Sequence, residues 1–153
     1  MALCFLDTSA LVKLYARELG SRSLIDLISA ERSRCAILAL TRVECRAAIR
    51  RRQRTGEYSK DAVDLLLQRF VRDMSEYFLV QPMDDPMFLE ADGLLDRYAL
   101  RAYDAMQLAG CMRMARDWPG DDLVFACSDG ALARAASDEG LTVFDPEKNE
   151  TLL

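Results

Sequence analysis

Four acidic residues stand at positions where a carboxylate is unexpected in a folded chain. Asp7 and Asp129 each follow a short apolar run, and Glu44 and Asp104 lie among apolar residues on predicted helices. A buried carboxylate without a partner is costly, so each of these acids needs a cation nearby. The four residues are therefore candidate ligands of a metal ion.

The donor set that these acids offer consists of oxygen alone. The chain has no histidine, which removes the commonest general base and the commonest zinc ligand. Its five cysteines include no CxxC pair, so we expect buried, reduced thiols. Oxygen ligands suit Mg²⁺ or Mn²⁺, and such ions can activate water and neutralise the charge on a phosphodiester. This pattern predicts metal-dependent hydrolysis of phosphodiester bonds.

Each acid also has a purely structural interpretation. Asp is among the preferred residues at helix N-caps, which would explain Asp7 and Asp129. Asp104 would favour the positive end of its helix. Glu44 could pair with one of three nearby arginines, Arg42, Arg46 or Arg51. The positions of the four acids taken together favour the metal-site interpretation, because two acids follow strands and two begin helices that can flank those strand ends.

The hydrophobic pattern places the acids in an α/β fold. Apolar runs predict five strands, at 2–6, 35–40, 78–80, 123–127 and 141–144. Helical spacing and end signals predict helices at 10–20, 21–32, 41–55, 59–77, 84–98, 102–116 and 129–139. Such alternation is typical of a central, mainly parallel sheet flanked by helices. Ligands of such sheets bind outside the carboxyl ends of the strands, where Asp7 and Asp129 would project.

Size and charge set further limits. With 153 residues, of which 51% are hydrophobic, the chain is expected to form one domain over 1–153. Its net charge of −5 argues against binding nucleic acid through bulk positive charge. The arginine-rich segment 50–54 could contact RNA phosphates, but a charge run is more often a solvated helix face, and we favour that interpretation.

No membrane or secretory segment is expected. No apolar stretch approaches the roughly 18 to 20 residues that a membrane-spanning helix needs. The N-terminus lacks a basic leader and has an acid after five further residues. We therefore expect a cytoplasmic protein.

Four segments resemble, in order, the PIN-domain nucleases, and among them the VapC-type toxins of VapBC toxin–antitoxin modules. They read FLDTSALVKLY, TRVECRAAI, RAYDAMQLAG and FACSDGALARAASDEGLTVFDP, and they cover nearly the whole chain. The resemblance implies a PIN-like fold, a metal-dependent endoribonuclease, a small antitoxin partner and a homodimer. It matches Thr8 or Ser9 to a polar position beside the first acid. It matches the family's metal-binding acids to Asp7, Glu44, Asp104 and Asp129, the last at the family's most variable position.

Three other functions fit the sequence less well than a ribonuclease. A phosphatase of the haloacid-dehalogenase type needs a second aspartate two residues after the first, where this chain has Ser9. A receiver domain needs a lysine after its late strand, whereas the only lysines are Lys13, Lys60 and Lys148. A PIN-like module that binds RNA or protein without catalysis has no need of four such acids. A metal-dependent ribonuclease therefore remains the leading hypothesis.

Overall fold

The computed structural model describes residues 2–31, 33–120 and 122–148. Within these residues five strands occur in chain order: β1 (Leu3–Leu6), β2 (Arg34–Leu38), β3 (Phe78–Gln81), β4 (Leu123–Ala126) and β5 (Thr142–Phe144). Seven helices accompany them: α1 (Thr8–Val12), α2 (Ser21–Glu31), α3 (Thr41–Arg54), α4 (Lys60–Glu76), α5 (Asp85–Arg97), α6 (Ala102–Asp117) and α7 (Gly130–Asp138). The predicted end of α2, at residue 32, lies outside the described residues.

The strands form one parallel sheet in the order β3-β2-β1-β4-β5, which confirms the predicted fold class. The chain leaves the central β1 toward β2 and β3 on one side, and later crosses to β4 and β5 on the other. The ends of β1 and β4 are therefore adjacent, and the Asp7 amide donates to the Ala126 carbonyl at 3.2 Å. This reversal of strand order is where open parallel sheets form their ligand crevices.

Helices cover both faces of the sheet, and β1 contributes to both cores. Leu3 and Phe5 join the cluster that includes residues of α5, α6 and α7. Cys4 and Leu6 join the cluster with residues of α1 to α4. This division follows from the alternation of side chains along a strand. Gly110 brings α6 close to the sheet, because a Cβ there would lie 2.8 Å from a Leu38 methyl group.

The first helix is shorter than the sequence pattern predicts. We expected it to reach Gly20, but α1 ends at Val12 and tighter turns follow. The amides of Lys13, Leu14 and Tyr15 donate to carbonyls three residues back instead of four. The Lys13 side chain is buried at this point of the chain.

Two further expectations concern the cysteines and the membrane. All five cysteines are free and buried, as predicted. In the described segments, no helix combines the length and apolar character needed to cross a membrane.

Candidate active site

The four predicted acids line a single cavity at the carboxyl edge of the sheet, with a volume of about 650 Å³. Asp7 follows β1, and Asp129 lies between β4 and α7. Glu44 and Asp104 stand in the first turns of α3 and α6. Four separate elements thus bring their acids to the crevice beside the central strand.

Asp7 is buried in the floor of this cavity. Its Oδ1 accepts hydrogen bonds from the Ala10 amide at 2.8 Å and from the Ser9 hydroxyl at 2.7 Å. It therefore caps α1, as the structural interpretation held. Burial raises the pKa of Asp7 to about 6, against hydrogen bonds from Ser9, Ala10 and Cys127, and the charge of Asp104 adds to the rise. Ionised Asp7 would thus be stabilised by a cation.

Glu44 is held by neutral partners. Its Oε1 accepts from the Thr8 hydroxyl and from the Gln107 Nε2, each at 2.9 Å. Nε2 also donates to the Thr41 hydroxyl at 2.8 Å, and the Gln107 side chain is almost completely buried. In the described residues Glu44 forms no ion pair, so the arginine pairing considered for it does not occur. Its second oxygen, Oε2, receives no hydrogen bond from the described part of the chain.

Arg101 links the two remaining acids. Its Nε lies 3.1 Å from Asp104 Oδ2, and its Nη2 lies 3.6 Å from Asp129 Oδ2. Asp129 also caps α7, since its Oδ1 accepts from the Leu132 amide at 2.9 Å. The hydrogen bond and charge of Asp104, with the charges of Asp129 and Glu44, raise the pKa of Arg101. The capping interpretation of Asp129 is therefore correct, and it leaves the other oxygen toward the cavity.

The donor set fits a hard divalent ion, although the acids do not form a preformed ligand cage. Among the described residues, no group of three or more acids or cysteines stands in metal-binding geometry. Two buried oxygens have no hydrogen-bond partner in the described residues, Gln107 Oε1 and Ser128 Oγ. Both residues line the cavity, and buried polar atoms that need a partner fit a site that takes up an ion with its water.

Of the other basic residues that line the cavity, Lys13 and Arg52 form ion pairs within the described part of the chain and Arg51 does not. Lys13 is buried, with its Nζ 2.9 Å from both Glu18 and Glu147. Burial alone would lower the pKa of Lys13, but its hydrogen bonds to Glu147 and Glu18 raise it overall. Arg52 also pairs with Glu18, whereas Arg51 is exposed and has no partner in the described residues. The segment 50–54 is thus only partly a solvated helix face.

Sequence reasoning missed two residues of this site. Gln107 lies one turn after Asp104 among apolar residues, and it was not predicted as a site residue. A buried amide one turn after an acid was the signal available for it, because such a group needs partners. The signal available for Arg101 was its position three residues before Asp104, a spacing at which opposite charges pair on a helix.

Comparisons with known proteins agree with this fold. A family model described as "PIN domain" matches residues 4–118, which include Asp7, Glu44 and Asp104 but not Asp129. The crystal structure of FitAcB from Neisseria gonorrhoeae is 18% identical, with a TM-score of 0.65, covering 94% of this chain and 98% of that chain. PAE2754 from Pyrobaculum aerophilum is 22% identical, with a TM-score of 0.65 and coverages of 93% and 89%. DNA-bound VapBC from Salmonella typhimurium is 17% identical, with a TM-score of 0.61 and coverages of 95% and 99%. No curated protein matches the chain.

Proposed function

The chain belongs to the PIN-domain family, and we propose that residues 1–153 form one domain that acts as a metal-dependent endoribonuclease. The observation that carries the proposal is the convergence of Asp7, Glu44, Asp104 and Asp129 on one cavity. Their oxygens would hold Mg²⁺ or Mn²⁺. A phosphodiester of RNA is the substrate that we assign to this site.

The chain's own residues would orient two of the acids. Gln107 and Thr8 fix the carboxylate of Glu44, and Ser9 fixes that of Asp7. When bound, the ion supplies an activated water and neutralises charge on the phosphodiester. Because the chain has no imidazole, none of these roles depends on a histidine base.

We further propose that the protein is the cytoplasmic toxin of a toxin–antitoxin pair. Its sequence resemblance to VapC-type toxins and its fold likeness to FitAcB and VapBC support this role. A cavity lined by four acids would attract an arginine or lysine of a small inhibitory antitoxin. Five free, buried cysteines agree with a reducing compartment.

A homodimer is the assembly we propose. Helix α5 exposes Phe88 and Leu95, and Tyr103 of α6 is exposed beside them. Large apolar side chains clustered on a surface commonly mark a protein interface. This face would bury them against a second copy.

The nuclease proposal is tested with the purified full chain and single-stranded RNA. Cleavage is expected in Mg²⁺ or Mn²⁺ and not in EDTA, and Asp104→Asn should abolish it. Asp96→Asn is the matched control, because it makes the same change at an exposed acid on α5 outside the cavity. Full activity in Asp104→Asn would contradict the proposed role.

The same assay separates the alternatives. A phosphatase would release phosphate from small phosphomonoesters and leave RNA intact, whereas a noncatalytic module would bind RNA without cutting it.

The antitoxin is tested by co-expression with an adjacent small reading frame, followed by affinity purification. A chain that purifies alone would contradict the partner while leaving the nuclease proposal standing.

A further inference from the structure

Arg101 contacts two of the four candidate metal ligands directly. Its Nε is 3.1 Å from Asp104 Oδ2, and its Nη2 is 3.6 Å from Asp129 Oδ2. The Arg101 side chain is 79% exposed, whereas those of Asp104 and Asp129 are 16% and 33% exposed. A largely exposed cationic side chain thus contacts two carboxylates that are more buried than it is.

The other cations of the cavity do not play this part. Lys13 is committed to Glu18 and Glu147, and Arg52 to Glu18 and Glu57. Within the described residues, then, Arg101 alone pairs with any of the four candidate ligands.

The contact engages the oxygens that a metal would need. Oδ1 of Asp129 accepts from the Leu132 amide at the start of α7, which leaves Oδ2 for a cation. Arg101 faces this Oδ2, and it hydrogen-bonds Oδ2 of Asp104. A guanidinium and a metal ion cannot both sit against these oxygens without strong repulsion between the two cations.

We propose that Arg101 is a built-in competitor of divalent metal at this site. It neutralises Asp104 and Asp129 in the metal-free protein and moves away when the ion binds. This inference rests on the proposed metal-dependent function. Displacement is feasible because ion pairs of such an exposed side chain contribute little stability. The competition lowers metal affinity and protects the metal-free acids from mutual repulsion.

Calorimetric titration of the full chain with Mn²⁺ tests the proposal. Arg101→Gln removes the charge, and Arg51→Gln is the matched control because Arg51 lines the same cavity without contacting any of the four acids. We expect Arg101→Gln to tighten the Mn²⁺ Kd about fivefold. Arg51→Gln should change it clearly less. Arg101→Lys, which keeps the charge but loses the two-pronged contact, should lie between wild type and Arg101→Gln.

A thermal melt supplies a second readout. In EDTA, Arg101→Gln should melt below wild type, because its acids lack a counterion, and Mn²⁺ should raise its Tm more than that of wild type. Equal Kd values for wild type and Arg101→Gln would overturn the inference while leaving metal binding intact. Equal tightening by Arg51→Gln would also overturn it, because the effect would then be one of general charge. If the wild type binds no Mn²⁺, the proposed function itself fails, and the inference with it.

Discussion

The Nε2 of Gln107 donates a 2.9 Å hydrogen bond to Oε1 of Glu44, a residue 63 positions earlier in the chain. The bond joins α6 to α3 inside the cavity, and the same nitrogen also bonds Thr41. A carboxylate at the start of one helix is thus oriented by a buried amide of another. The contact makes Gln107 a positioning residue for a candidate metal ligand.

Replacing Gln107 with leucine should damage both stability and activity. The variant keeps side-chain size but removes the donor for Glu44 and Thr41, so the free energy of unfolding should fall by about 1 to 3 kcal/mol. RNA cleavage should fall about ten- to a hundredfold, because Glu44 is no longer oriented. Urea unfolding and single-turnover cleavage measure the two effects.

Mn²⁺ affinity distinguishes positioning from general destabilisation in that variant. Gln68→Leu is the control, since Gln68 is exposed on α4 and lies outside this cavity. Gln107→Leu should weaken the Mn²⁺ Kd, and Gln68→Leu should not. An unchanged Kd and cleavage rate in folded Gln107→Leu would remove the positioning role.

Stability without metal should depend on the charge of Asp7. Its pKa is about 6 in the folded protein and 3.8 when unperturbed, so the folded state holds the proton more tightly. Ionisation of Asp7 therefore lowers the free energy of unfolding. This loss is absent below pH 3.8, grows as the pH rises to about 6, and is complete above it. Ionised Asp7 should therefore cost the folded protein about 3 kcal/mol at neutral pH.

Asp7→Asn removes this penalty and keeps an oxygen that can cap α1. In EDTA the variant should be more stable than wild type at pH 7.5, and the difference should shrink toward pH 5. Urea unfolding at both pH values measures it. A difference that stays constant between these pH values, or a less stable variant, would contradict the assigned role of burial.

The sequence predicted the local features of the structure better than the contacts between distant residues. The strands and most helix ends were predicted from local patterns. Asp7 and Asp129 were expected to lie together, because the carboxyl ends of parallel strands lie at the same edge of a sheet. The turns after α1 were not predicted, and they contain buried Lys13, whose Nζ donates to Glu147, 134 residues later in the chain. The contact of Gln107 with Glu44 and that of Arg101 with Asp129 likewise depend on how separate elements meet, which no local pattern encodes. Arg101 and Asp104, by contrast, are only three residues apart.

The proposed dimer predicts unequal effects of two similar substitutions. Phe88 on α5 is 48% exposed and Val71 on α4 is 47% exposed, so the two sites are equally accessible. Phe88→Asp should convert a dimer to a monomer in analytical ultracentrifugation, because it puts a charge into the apolar face. Val71→Asp should remain dimeric. A wild-type monomer, or dissociation by Val71→Asp alone, would contradict this interface.

The central claim is that Asp7, Glu44, Asp104 and Asp129 together bind a divalent ion. Anomalous diffraction from crystals grown with Mn²⁺ locates such an ion directly. The account predicts a peak in the cavity about 2.0 to 2.2 Å from oxygens of these acids, or two peaks about 3.5 to 4 Å apart, with Arg101 moved from Asp104. An empty cavity at saturating Mn²⁺, or a peak bound only by other residues, would contradict it.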